Sequence, residues 1–276
     1  MSNLKALGSN TNYKDKYDPS LLEGFSRLSK RDGLSAPMNG IDVWTAFEVS
    51  FLKPNGVPDF MVLRISNPAY SKNIFESKSL KLYLNSFNNT TLLNRRELIF
   101  IIERDLSLVA GCGVSVIEVS SFSNQHLYFG ARKIEDFIQD IFVKEYEYNP
   151  KLLQTKEAKT GRVEMVELYS DLLRSNCEIT NQPDWGRVFI KYEPGEKEVT
   201  YESLLKYIIS IRTHQAFHEP TCELIYNDLF ELLKPKKLLV ICQYTRRGGI
   251  DINPIRFTHS SLLTIEAIQL PKLIQQ

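Results

Sequence analysis

Arg162-Val163-Glu164-Met165-Val166-Glu167-Leu168-Tyr169 alternates polar and apolar side chains as a half-buried strand does. It follows residues 149–161, a stretch with Pro150, three lysines and Gly161 that has the composition of a linker. The chain therefore starts a new sheet after that stretch, and this restart fixes the fold. Working back from it, Ile41–Leu52 and Phe60–Ile65 alternate as two strands, with Pro54-Asn55-Gly56 turning the first. Leu80, Tyr83, Leu84 and Phe87 fall at helical spacing, so a helix starts near Ser77, and a second runs from Arg95 to Leu108 before Gly111-Cys112-Gly113. Val114–Val119 reads as a strand, with another expected around Phe137–Tyr148. Working forward, Arg187–Tyr192 is a strand and Tyr201–Arg212 a helix. Pro220 sits in the first turn of a helix ending at Leu233, and Leu238–Cys242 and Leu262–Ile268 close the second pass as strands.

Two passes of β-β-α-α-β-β, with no sequence identity apparent between them, indicate a structural duplication. Paired antiparallel strands around helices place the chain in the α+β class rather than among doubly wound sheets. The expected division is an N-terminal arm over 1–36, a first module over 37–150 and a second over 151–276.

The 276 residues carry a formal net charge of +1, so no bulk field draws the chain to nucleic acid or to a membrane surface. No apolar run reaches the length of a bilayer span, and the N-terminus has no signal-like apolar core. Cys112, Cys177, Cys222 and Cys242 are irregularly spaced, with no C-x-x-C pair; reduced thiols in a cytoplasm are the expectation. Neither G-x-G-x-x-G nor G-x-x-x-x-G-K-[ST] occurs, and His126, His214, His218 and His259 form no metal-ligand pattern with the cysteines.

Ser175-Asn176-Cys177-Glu178-Ile179-Thr180-Asn181-Gln182-Pro183-Asp184-Trp185-Gly186 joins two strands of the second pass. It places a cysteine among polar neighbours and an aspartate seven residues later. Taken alone, these residue types favour an inert loop thiol and a turn aspartate; nucleophilic thiol chemistry is the alternative. Three further clusters stand out. Phe217-His218-Glu219-Pro220 offers a proton carrier and a carboxylate at a helix start, or simply an acid in a first turn. Arg246-Arg247-Gly248-Gly249-Ile250-Asp251-Ile252-Asn253-Pro254, directly after a strand, offers donors and close backbone approach to a phosphate, or a solvated hairpin loop. Lys78 and Lys81 at a helix start suit a phosphate, or an ordinary solvated face.

Glu76-Ser77-Lys78-Ser79-Leu80-Lys81-Leu82-Tyr83 resembles the signature of the QueF family, the NADPH-dependent 7-cyano-7-deazaguanine reductases. The Cys177–Gly186 loop, Phe217-His218-Glu219 and Arg246-Arg247-Gly248 are similar to further elements of that family, in the same order, and nearly the whole chain matches the long, two-module form. The resemblance implies a tunnelling fold and a nitrile reductase of queuosine biosynthesis that turns 7-cyano-7-deazaguanine into 7-aminomethyl-7-deazaguanine with two NADPH and no metal. It implies Cys177 as nucleophile, Asp184 as proton donor and His218 as a further catalytic group. Phe75, Glu76, Ser77, His218 and Glu219 would contact the substrate, and Ser77, Lys78, Arg247 and Gly248 the NADPH. A homodimer is the expected assembly. The other readings are a GTP cyclohydrolase-like enzyme, which would need zinc ligands that are not found, and a purine- or pterin-binding protein of the same fold without catalysis.

Overall fold

The computed structural model describes residues 13–122, 130–138, 140–158, 164–264, 268 and 273. In chain order the regular elements are β1 (Gly24–Ser26), β2 (Gly40–Leu52), β3 (Pro58–Pro68), β4 (Asn73–Phe75), α1 (Ser77–Asn85), α2 (Arg95–Ala110), β5 (Ser115–Glu118), β6 (Arg132–Lys133), β7 (Thr155–Glu157), β8 (Val166–Asn176), β9 (Pro183–Tyr192), β10 (Lys197–Val199), α3 (Tyr201–Ser210), α4 (His218–Leu233), β11 (Leu238–Tyr244) and β12 (Ile250–Phe257). The fold is α+β with antiparallel sheets in two modules, as the strand and helix periodicities imply.

Two compact units form, and neither is continuous in sequence. Unit 1 takes residues 1–32, 41–121 and 246–252; unit 2 takes 33–40, 122–245 and 253–276. In unit 1, β3 lies between β2 and β5, and Trp44, Phe51, Leu63 and Ile65 meet Leu80, Tyr83, Leu98 and Ile102 of the two helices in a dry core. In unit 2, β9 pairs with β8 and β11, β12 pairs with β11, and β6 adds to β8 in parallel. Its core brings Leu168, Val188 and Val240 against Leu204, Ile208 and Ile225.

The duplication runs deeper than the periodicities showed. Tyr17-Asp18-Pro19-Ser20-Leu21-Leu22-Glu23 and Tyr148-Asn149-Pro150-Lys151-Leu152-Leu153-Gln154 each make a Pro-led 3-10 turn capped by the Asp18 or Asn149 side chain. Tyr17 and Tyr83 both donate to Asp105 Oδ2, at 2.7 and 2.8 Å; Tyr148 and Tyr207 both donate to Asp228 Oδ2, at 2.9 and 2.5 Å. β1 pairs with β4 as β7 pairs with β10. Both modules also carry a β-bulge at the same place, between Ala46 and Val49 in one and between Ser170 and Leu173 in the other.

Several expectations are corrected. Residues 17–26 are not an arm, and 149–157 are not a linker; each forms the opening turn and short strand of a module, held by a tyrosine–aspartate bond. No strand forms in the described residues of 137–148. Ile138, Ile141 and Tyr148 instead pack on the core of unit 2. Arg246–Pro254 is not one long loop, since a strand begins at Ile250. Pro254 lies inside that strand, and the side-chain oxygen of the preceding Asn253 accepts the Tyr244 N–H at 3.1 Å. Ser260–Leu262 is a 3-10 turn and Leu263 and Thr264 form no strand, while residues 265–267 of the strand expected over 262–268 lie outside the described residues. Among the described residues no helix is long and apolar enough to cross a membrane.

Candidate active site

Antiparallel pairing of β8 with β9 sets Ser175 opposite Asp184 and Asn176 opposite Pro183. The ladder continues one step into the loop, where Cys177 N–H donates to Gln182 O at 2.9 Å and Asn181 N–H donates back to Cys177 O at 3.0 Å. Asn181 adopts a left-handed conformation (φ 56°), which an asparagine tolerates and which closes the turn. Side chains two apart on a strand share a face, so Cys177 and Asp184 are diagonal neighbours on one side of the hairpin, roughly 7–8 Å apart by general strand geometry. Cys177 is half-buried and Asp184 is buried, whereas Trp185, the next residue, faces out at 41% exposure. Gly186 is required beside it. A Cβ there would lie 2.6 Å from Gln243 O, so only glycine lets β9 approach β11 this closely.

The segment leading into α4 is stitched to the end of β8. Asn176 N–H donates to His214 O at 2.8 Å, and Ala216 N–H donates to Asn176 O at 3.1 Å. That delivers His218 and Glu219, the first two residues of α4, to the same hairpin. His218 Nε2 lies 3.4 Å from Asp184 Oδ1, a loose contact rather than a full hydrogen bond. The His218 ring stacks on Tyr244 at 3.8 Å and 7°. His218 Nδ1 is buried with no hydrogen-bond partner among the described residues. Burial holds the Tyr244 hydroxyl well above its ordinary range, so the ring partner of His218 stays neutral. Glu219 is buried in the first turn, where the helix dipole favours its negative charge. Cys177, Asp184, His218 and Glu219 thus gather in unit 2. Tyr244 was missed: it sits in an apolar strand and looks like core from sequence, and only its place two residues before Arg246 could have marked it.

The remaining residues lie in unit 1. Phe75 is buried against Trp44, ring centroids 5.8 Å apart. Glu76 is buried and caps α1: one carboxylate oxygen accepts the Lys78 N–H at 2.9 Å and the other the Ser79 N–H at 2.6 Å. The start of α1 therefore already holds a carboxylate, and any phosphate there must be met by side chains, not by the helix dipole. Ser77 is exposed and Lys78 half-buried, while Lys81 is ion-paired with Glu48. Arg247 falls in unit 1 as well. Arg247 and Ile250 exchange backbone hydrogen bonds at 2.8 and 3.1 Å around Gly248 (φ 55°) and Gly249 (φ 77°), a two-residue hairpin turn that needs left-handed residues at both central positions. Phe47 N–H donates to Gly249 O at 2.9 Å, and the Glu48 carboxylate fills the space a Cβ on Gly249 would need. Glu48 thus touches both the Arg-Arg-Gly-Gly turn and, through Lys81, the signature helix. Among the described residues no group of three or more His, Cys, Asp or Glu side chains is placed to hold a metal.

Residues 13–118 match the family model described as "Nitrile reductase, 7-cyano-7-deazaguanine-reductase N-term", and residues 183–261 match the model described as "QueF-like protein". Among solved structures, the apo form of the archaeosine synthase QueF-Like is 17% identical, with 36% of this chain and 95% of that chain covered at a TM-score of 0.32, too distant to bear on fold or function. The two family matches cover more than half of the sequence, in the expected order and one in each half, and the chain belongs to the QueF family in its two-module form.

Proposed function

We propose that the protein is an NADPH-dependent reductase of 7-cyano-7-deazaguanine that works through a thioimide on Cys177, and that it serves queuosine biosynthesis. The observation that carries this reading is the hairpin of unit 2, which collects a loop thiol, a buried carboxylic acid, a histidine 3.4 Å from that acid and a buried glutamate. A nitrile accepts hydride poorly. Addition of the Cys177 thiolate to the nitrile carbon forms a C–S bond, and the thiol proton passes by way of Asp184 to the nitrile nitrogen. NADPH, when bound, supplies a hydride first to the thioimide carbon and then to the imine carbon. Between those events the C–S bond breaks, Cys177 leaves as thiolate and the imine remains; two protons from solvent, passed by way of Asp184, restore the thiol and complete the amine. His218, stacked on Tyr244, orients Asp184 and keeps water from its carboxyl group. Glu219 accepts from the ring N–H and exocyclic amino group of a guanine-like edge.

The residues of unit 1 fit a phosphate-bearing cofactor. Lys78 and the Ser77 hydroxyl lie on the exposed first turn of α1. In the other segment Gly248 has open space where a Cβ would stand, so a phosphate can approach the backbone beside Arg247. The test is to mix protein, 7-cyano-7-deazaguanine and NADPH and follow the nicotinamide absorbance. Two NADPH consumed per aminomethyl product support the reading. Substrate binding with no oxidation of NADPH would leave a purine-binding protein without catalysis.

A further inference from the structure

Unit 1 contains a rebuilt copy of the unit 2 cluster, and we propose that it is an anion site for phosphate-bearing small molecules. The correspondence comes from register. Two residues beyond the bulge, Phe51 faces Asp59 as Ser175 faces Asp184; two further on, Lys53 stands where Cys177 stands. Leu52 N–H donates to Thr90 O and Leu92 N–H to Leu52 O, both at 2.9 Å, which repeats the stitching of Asn176 to His214 and Ala216. α2 and α4 are both 16 residues long, so Arg95 takes the place of His218 and Arg96 that of Glu219. The acid survives, the contact between helix start and acid survives, and the thiol, imidazole and glutamate have all become cations.

These side chains line a cavity of about 610 Å³. Arg95 grips Asp59 with two nitrogens, at 3.0 and 2.8 Å, and also pairs with Glu118; it holds the Asp59 carboxyl down to about 2. That group is closed on itself. Lys53 and Arg96 also line the cavity and form no ion pair among the described residues. Two unneutralised cations beside an Arg-held acid cannot perform the thiol chemistry, and they attract an anion with several acceptor oxygens.

Calorimetric titration of the full-length protein with inorganic pyrophosphate tests the assignment, with ADP and adenosine as further arms. Saturable pyrophosphate binding is expected, weakened at least about tenfold by Lys53→Gln and by Arg96→Gln, the effect of losing one charge-assisted contact. Cys177→Ala and Arg247→Gln should leave it unchanged. ADP that binds like pyrophosphate, with adenosine silent, identifies a site for phosphate alone; ADP that binds much tighter identifies a nucleotide site. Both substitutions are at half-buried or exposed positions, and unchanged melting temperatures would show that the variants are folded. No saturable binding would overturn the proposal. So would binding indifferent to both substitutions, or binding lost only in Arg247→Gln, which would place the anion at the proposed cofactor residues.

Discussion

At the scale of single residues, the proposed chemistry rests on Asp184 as much as on the thiol. Asp184→Asn keeps the shape and the β8–β9 register but removes proton transfer. Turnover should fall roughly 10²–10⁴-fold, with far-ultraviolet circular dichroism unchanged. Wild-type turnover would return Asp184 to a structural part. Cys177, Asp184, His218 and Glu219 stand out in the sequence because polar and reactive residue types interrupt an apolar alternation, and the fold gathers them in unit 2. Tyr244 was not, because a buried tyrosine in a strand reads as core until its ring is seen 3.8 Å from an imidazole. Glu76 shows the opposite limit. Its place in the signature suggested a ligand contact, whereas two bonds to backbone N–H groups make it first a helix cap.

Among the elements, the hairpin turn at Gly248-Gly249 is constrained at both central positions by a left-handed backbone. Gly249→Ala meets both a left-handed φ of 77° and the Glu48 carboxylate, and should cost about 1–3 kcal/mol in chemical denaturation. Gly248→Ala meets only the φ of 55° and should cost less; the reverse order would mean that Glu48 gives way freely. The tyrosine–aspartate bonds that open each module set the alkaline limit. Tyr17 is pushed up to about 12 by burial and by its bond to Asp105, and Tyr83 and Tyr148 go higher, each chiefly through burial. Their neutral forms favour the fold, so stability is intact below the ordinary tyrosine value near 10 and is lost as pH rises from there through about 12. Melting temperature against pH should show this fall, and Tyr17→Phe should blunt it. These elements were the least legible part of the fold. Polar, proline-bearing openings look like an arm and a linker because their order comes from two long-range hydrogen bonds, not from periodicity. The β9 and helix periodicities, which follow local burial, were read to within a few residues, whereas β8 runs seven residues past the expected end at Tyr169, to Asn176.

For the whole molecule, the units are interleaved along the chain, so a cut near residue 155 strips Arg246–Ile252 from unit 1 and residues 122–155 from unit 2. Fragments 1–155 and 156–276 should each lack a cooperative melt and turn nothing over alone; a cooperative melt in either would contradict the division. A contiguous boundary was the natural reading of a tandem repeat, and no local property of Arg246–Ile252 reveals the unit it joins. The full chain is also the right object for the central claim. Intact-mass spectrometry should be recorded after incubation with 7-cyano-7-deazaguanine and no NADPH. The account requires one substrate mass added per chain, retained in Cys112→Ala, Cys222→Ala and Cys242→Ala and absent in Cys177→Ala; an adduct that persists in Cys177→Ala, or none in a wild-type protein that turns over, would contradict it.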